Sequence, residues 1–404
     1  MKNFTKKELV LLFTLAGIQF THVLDFMIMM PLGPVFEKFF GVNTQHHAYL
    51  VASYNVSAGI AAFLAAFFID KFDRKKAQLA VYTGFIIGTL ACAFAQGYWF
   101  FLFARIFTGF FGGIASAILS SIIGDAIPNE RRATAMGIVM SAFSVASVIG
   151  VPLGLLLTDL FSWHAAFLLV VGIACVLWFV AFINVPNMTG HFSNTSQKKS
   201  PFVVLQNIIS DNNQMKALAL TALLMFGHFT MVPTIAPFLV NNGILSQEQL
   251  KIMYLIGGVL TLFSSPLVGR LSDKYSRPRI FMFMSLLALI PIVALTNLTP
   301  ILFGYVMCIT AAFFIFASGR MIPMSAVITA TVLPQQRGGF MSINSSLQQL
   351  TAGVAALAAG LIIGNDEHHH IINYNYVGYV SVFFSLVCIW LIYRIKEVDA
   401  GGAS

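Results

Sequence analysis

Gly17-Ile18-Gln19-Phe20-Thr21-His22-Val23-Leu24-Asp25-Phe26-Met27-Ile28-Met29-Met30-Pro31-Leu32-Gly33-Pro34 is apolar enough to cross a bilayer, yet it carries a carboxylate near its middle. A hydrocarbon core is spanned by about 20 apolar residues of helix. Asp25 is the only acidic residue of the chain that falls well inside an apolar run. A carboxylate facing lipid costs several kcal/mol, so Asp25 is expected to face a cavity or a partner. This stretch therefore sets two expectations: a membrane protein, and a first helix that holds a functional charge.

The whole chain agrees with the first expectation. Of 404 residues, 58% are hydrophobic and 9% charged, whereas a soluble domain carries about 25% charged residues. Spans are expected near 8–35, 47–69, 77–96, 98–124, 133–158, 164–185, 216–240, 249–270, 279–297, 299–330, 338–363 and 372–394. The first run is longer than a signal-peptide core and lacks a small-residue cleavage site, so it reads as a retained span. The predicted class is an all-α polytopic membrane protein with twelve transmembrane helices.

The net charge of +8 reads as topology rather than as nucleic-acid affinity. Nineteen of the 23 Lys and Arg fall on one side of these spans. Only Lys38 and Lys251 fall on the other, and Arg105 and Arg320 lie inside spans. By the positive-inside rule this bias places both termini in the cytoplasm, with a bacterial inner membrane as the expected location.

The sequence also repeats. Asp70 and Arg74 at the end of the second span return as Asp273 and Arg277, 203 residues later. The same shift carries Pro34 onto Pro237 and Asp25 onto His228. Pro128-Asn129-Glu130-Arg131-Arg132 resembles Pro334-Gln335-Gln336-Arg337-Gly338 at a shift of 206. Two pseudo-symmetric six-helix bundles, 1–185 and 216–404, are expected, joined by a polar cytoplasmic linker over 186–215 in which 203–209 can form a short interfacial helix. Parallel repeats of this kind place a substrate site near the bilayer midplane.

Enzyme chemistry finds no support. There is no His-Glu-x-x-His, Gly-x-Ser-x-Gly or phosphate-binding Gly-x-x-x-x-Gly-Lys-Ser/Thr sequence. Cys92, Cys175, Cys308 and Cys388 are far apart and all within apolar runs, with neither metal spacing nor a disulfide framework. Asp366-Glu367-His368-His369-His370 reads as a solvated external loop, because consecutive residues seldom point at one ion. No metal and no cofactor is expected.

Taken in order, these motifs resemble the major facilitator superfamily over residues 8–396. The family's loop between spans two and three, Gly-x-Leu-Ala-Asp-Arg-x-Gly-Arg-Lys, is similar to Ala66-Phe67-Phe68-Ile69-Asp70-Lys71-Phe72-Asp73-Arg74-Lys75. The departures are Ala66 and Asp73, where the family has glycines; the second copy keeps Gly269 and has Ser276. Arg105-Ile106-Phe107-Thr108-Gly109 matches the span-four motif, and Gly150-Val151-Pro152-Leu153-Gly154 resembles the span-five signature of drug:proton antiporters. The pattern is most similar to the drug and sugar-efflux branch. The resemblance implies secondary active transport of a small organic molecule through the lipid bilayer by a monomer, with protons as the coupling ion and export as the direction. A symporter or facilitator for a sugar-like or anionic metabolite is the alternative within transport, and a membrane sensor the alternative outside it.

The candidate residues follow. Asp25 is the proton site, a group that recognises charge on the cargo, or a fixed helix tie. His22, three residues earlier, shares its helix face. Arg105 is the expected partner of Asp25, because resemblance sets span four beside span one and an Arg biases a carboxylate without titrating itself. Arg320 has no acidic residue in its own half to meet inside the membrane, so it contacts an anionic cargo group or the other half, or it snorkels to the interface. His228, the counterpart of Asp25, and Tyr54, Asn55, Asn344, Gln348 and Gln349 line a cavity or join helices by hydrogen bonds. Asp70, Arg74, Asp125 and Arg131, with Asp273 and Arg277 in the second half, are candidates for a conformational latch. Gly150, Pro152 and Gly154 permit a bend and close packing in span five.

Overall fold

The computed structural model describes residues 4–68, 72–186, 188, 201–333, 337–367 and 370–398. The chain folds into α1 (Lys6–Met27), α2 (Gly33–Phe40), α3 (Thr44–Phe68), α4 (Arg74–Ala93), α5 (Tyr98–Ala126), α6 (Asn129–Met140), α7 (Ala142–Val145), a π-turn over Ala146–Gly150 and α8 (Val151–Leu160). Then come α9 (Trp163–Asn184), α10 (Pro201–Ser210), α11 (Asn212–Phe229), a 3-10 turn over Val232–Thr234 and α12 (Ile235–Asn241). It continues with α13 (Gln247–Lys274), α14 (Arg277–Thr296), α15 (Phe303–Gly319), α16 (Met321–Ala330), α17 (Arg337–Ile362) and α18 (Tyr374–Ile392). Among the described residues, eleven helical stretches are long and apolar enough to cross a membrane, and Ala146–Leu160 is a shorter apolar helix. Together they make the twelve spans of the expected fold. Large apolar side chains cover the outside, including Phe263 at 73% exposure, Leu361 at 74% and Ile183 at 75%. Lipid, not water, suits such a surface.

Four spans are interrupted where hydropathy alone predicts unbroken helices. Span one stops at Met27 and resumes at Gly33, across Pro31. Span seven stops at Phe229 and resumes at Ile235, across Pro233. Proline lacks the N–H that would continue the ladder. Span five passes through the π-turn before α8, and span ten bends at Arg320. The repeat-related α2 and α12 are each followed by a left-handed glycine, Gly41 at φ 63° and Gly243 at φ 68°. Glycine alone enters that region without a steric cost.

A helix start explains one departure from the family loop, Asp73. Asp73 caps α4, its Oδ1 accepting from Lys76 N–H at 3.1 Å, whereas Ser276 precedes α14 in the equivalent place with no side-chain capping bond among the described residues. Thr5 and Glu8 form a reciprocal capping box on α1, as Ser246 and Gln249 do on α13. The expected interfacial helix is α10, three residues longer than the 203–209 read from sequence.

Contacts divide the chain into two compact units. One comprises Met1–Ile28, Ser53–Asn207 and Pro334–Leu350, the other Met29–Ala52, Ile208–Leu333 and Thr351–Ser404. In the first, α4 packs on α5 and α9, and α1 on α9; in the second, α14 packs on α15 and α18, and α11 on α18. The repeat seen in sequence thus returns as a repeated pattern of helix neighbours. A two-residue antiparallel ladder, β1 (Gly364–Asn365) with β2 (Ile371–Ile372), orders part of the loop read as merely solvated. His370 reaches back to Asp366 at 3.0 Å within it. His368 and His369 lie outside the described residues.

Candidate functional site

In the first unit, Asp25 near the end of α1 meets Arg105 on α5. Arg105 Nη1 donates to Asp25 Oδ2 at 2.6 Å, and both side chains are wholly buried. Thr89 on α4 adds a longer bond to Asp25 Oδ1, 3.4 Å. The guanidinium lies 4.4 Å from the centre of the Tyr54 ring, a cation–π stack. Among the described residues its Nε and Nη2 make no hydrogen bond to nitrogen or oxygen, and the buried Cys92 thiol lies close to the guanidinium. The carboxylate is thus held from two helices.

Close helix approach creates this site. A Cβ on Gly113 of α5 would run into the Ala58 carbonyl oxygen of α3, so α3 and α5 meet backbone to backbone next to Tyr54. A Cβ on Gly154 would run into Ile28, and one on Gly150 would meet Leu24 Cδ1 at 2.7 Å. The Gly150–Gly154 spacing of four fits the Leu24–Ile28 spacing of four on either side of Asp25. The span-five motif is therefore a seat for the helix that carries the carboxylate, with Pro152 in the first turn of α8.

His22 behaves differently. Its ring stacks on Phe85, centroids 4.4 Å apart, and no hydrogen bond joins it to Asp25 among the described residues. Asn55 is buried beside Tyr54 on α3. On α17, Asn344 is buried, while Gln348 and Gln349 are half-buried.

Toward the ends predicted to be cytoplasmic, Arg74 Nε donates to Asp125 Oδ2 at 3.1 Å. Arg131 makes a two-pronged pair with Glu8, 3.0 and 2.9 Å. Asp70 lies outside the described residues. In the second unit Arg277 pairs with Glu397 at 2.8 Å, an acid from the chain's tail, so the latch read there as Asp273 with Arg277 has a different partner. Asn213 holds the same tail through Lys396, with bonds of 2.7 and 2.8 Å.

Arg320 sits at the bend between α15 and α16, with 0% exposure, which removes the snorkelling alternative. Its Nη1 donates to Ser385 Oγ on α18 at 2.6 Å. His228, on α11, stacks parallel to Phe313.

Sequence reading missed Thr89, Ser385, Glu8 and Glu397 as partners. It also missed Glu37 on α2, which accepts from Asn241 Nδ2 of α12 at 2.6 Å. Burial pushes the Glu37 carboxyl up to about 7. Only Glu8 left a signal, the Thr5-x-x-Glu8 capping box.

A helical protein of twelve spans in two like halves, with an ion pair sealed inside the membrane, falls in the class of polytopic transporters. The profile described as Major Facilitator Superfamily matches residues 15–314 and 218–403, and the chain belongs to that family as one of its transporters. It is 21% identical over 383 residues to the uncharacterized MFS-type transporter YceJ of Bacillus subtilis (strain 168), covering 92% of each. It is 25% identical over 207 residues to a probable sugar efflux transporter of Helicobacter pylori (strain ATCC 700392 / 26695), covering 51% of each. Among solved structures, a bacterial homologue of the human lysosomal transporter Spinster matches with TM-score 0.74 at 16% identity, over 97% of this chain and 98% of that one. A D-xylose-proton symporter matches with TM-score 0.73 at 17% identity, over 98% and 99%. At such identities the shared property is the fold.

Proposed function

We propose that the protein exports a small organic molecule across a bacterial inner membrane by alternating access, driven by protons moving inward. It acts as a monomer with both termini cytoplasmic. Residues 1–185 and 216–404 are the two moving halves and 186–215 the linker. The observation that carries this reading is the sealed Asp25–Arg105 pair, 2.6 Å long at 0% exposure on both sides.

Two charges buried together are held by mutual attraction, and removing either leaves the other uncompensated. A proton arriving at Asp25 releases Arg105, and Arg105 returning displaces the proton. Exchange of that kind ties proton movement to helix movement, provided the carboxylate meets water on one side at a time. The Arg74–Asp125 and Arg131–Glu8 pairs, with Asp70 and Asp273, serve as the cytoplasmic latch that breaks when the inside opens. Tyr54, Asn55, Asn344 and Gln348 line the cargo path.

The test is transport by the purified protein in proteoliposomes with an imposed pH gradient, with sugars screened first because of the name carried by the Helicobacter pylori relatives. Cargo is expected to move opposite to protons. Asp25→Asn is expected to lower gradient-driven movement at least tenfold while the protein still elutes as a folded species. Cargo moving with protons would make it a symporter, and an unchanged gradient dependence in Asp25→Asn would remove Asp25 from coupling.

A further inference from the structure

The membrane interior holds two arginines, and among the described residues only one of them meets a counter-charge. Arg105 is neutralised by Asp25. Arg320 is as deeply buried, and no carboxylate among the described residues lies within salt-bridge distance of it. A guanidinium offers five N–H donors. One reaches Ser385 Oγ at 2.6 Å, and Nε is buried without a partner. Ser385 in turn donates to the Ser381 carbonyl at 2.7 Å, so its lone pair is held toward Arg320. His228 lies within electrostatic reach of the same guanidinium, and its Nδ1 is buried with no partner.

An uncompensated cation at this depth costs several kcal/mol and marks a functional group. Leaving its donors unmade adds to that cost. We propose that Arg320, steered by Ser385 and flanked by His228, is the binding site for the carboxylate of an organic anion that is the cargo of this transporter. This rests on the transporter reading above and narrows its cargo.

Charge balance selects a carboxylate. One guanidinium matches one negative charge, and its planar fork pairs with both oxygens. A phosphate dianion would leave a net charge in the membrane. His228 lies parallel to Phe313, centroids 6.2 Å apart and 5° from parallel, so the surroundings of the guanidinium on that side are aromatic. Arg320 also lies where α15 ends and α16 begins, so movement at that bend carries the guanidinium with it.

The test is equilibrium binding to the full chain in detergent, which needs no proton gradient and so can fail independently of the coupling mechanism. Thermal shifts are recorded against gluconate, benzoate and C3–C6 monocarboxylates, each beside its neutral amide or sugar analogue, with glucose 6-phosphate as a separate arm. Saturable stabilisation by at least one carboxylate and not by its neutral analogue is expected. Arg320→Gln should weaken that binding at least tenfold, Arg320→Lys less, and Ser385→Ala a few-fold. If Arg320→Gln fails to elute as a folded species, Arg320→Lys and Ser385→Ala carry the comparison. The proposal is overturned if no carboxylate saturates, if only the phosphate does, or if the folded variants bind acid and neutral analogue as the wild type does.

Discussion

Asp25 and Arg105 raise a question of sign at the scale of single residues. A buried ion pair is weak evidence for stability, because desolvating both charges offsets their attraction. Breaking one is costly, about 3–5 kcal/mol, since the survivor stays charged and buried. Asp25→Leu alone should therefore lower the unfolding temperature in detergent much more than Asp25→Leu combined with Arg105→Met. Equal losses in the single and double variants would mean that Arg105 finds another partner. The charges of this site were legible in sequence because an Asp or Arg inside an apolar run is rare and expensive. Their hydroxyl partners were not. Ser and Thr in helices satisfy themselves on the preceding turn, as Thr108 does on Ala104 at 2.7 Å and Thr310 on Val306 at 2.9 Å. A Thr89 or a Ser385 therefore carries no mark of the charge it also touches.

At the scale of helices, two glycines make a sharper test than any charge. Gly113 and Gly154 both lie where a Cβ would collide, but with different neighbours. Gly113 faces the Ala58 carbonyl, which can shift only if α3 shifts. Gly154 faces the end of the Ile28 side chain, which can rotate away. Gly113→Ala should cost about 1–3 kcal/mol through overpacking and Gly154→Ala less than that. Thermal unfolding of the two variants side by side checks the order, and a reversed order would mean that α3 yields more easily than the Ile28 side chain. The twelve spans were readable from apolar runs of the right length. Their interruptions were not, because hydropathy continues unchanged across 28–32, 146–150, 230–234 and Arg320. The local signals were Pro31, Pro233 and, in span five, Gly150 with Pro152, and Asp73 is recognisable as a helix cap only once α4 is known to begin behind it.

Over the whole molecule, the repeat visible as a shift of 203 residues reappears as matched helix neighbours. The same shift carries Glu37 to within one residue of Asn241, its own bonding partner. That register was present in the sequence, but the meeting of α2 with α12 was not, since it depends on the tertiary fold. Within the second unit these repeat-related segments touch. A Cβ on Gly33 would meet Pro237 Cγ at 2.6 Å and His47 Nε2 at 3.0 Å, and Glu37 bonds Asn241. The buried Thr44 of α3 also lies against Glu37, the buried His47 lies nearby beside Gly33 and Phe36, and Lys38 on the same helix as Glu37 is exposed. In the proposed orientation this junction lies on the external side. Glu37 has an ordinary value of 4.5 and is pushed up to about 7 by burial where the segments are joined. A raised carboxyl favours the protonated form in the joined state. Joining is then fully favoured below 4.5 and is weakened as pH rises through about 7. A protonation equilibrium changes tenfold for each step of one in pH, so the junction should loosen by about two orders of magnitude across that window. Hydrogen exchange over residues 33–44, corrected for the intrinsic pH dependence of exchange, should be faster at about pH 8 than at about pH 5.5, on either side of the raised value. Glu37→Gln, neutral at every pH and still able to accept from Asn241, should be slow at both. An identical pH response in wild type and Glu37→Gln would assign the sensitivity to another group, with His47 the next to substitute.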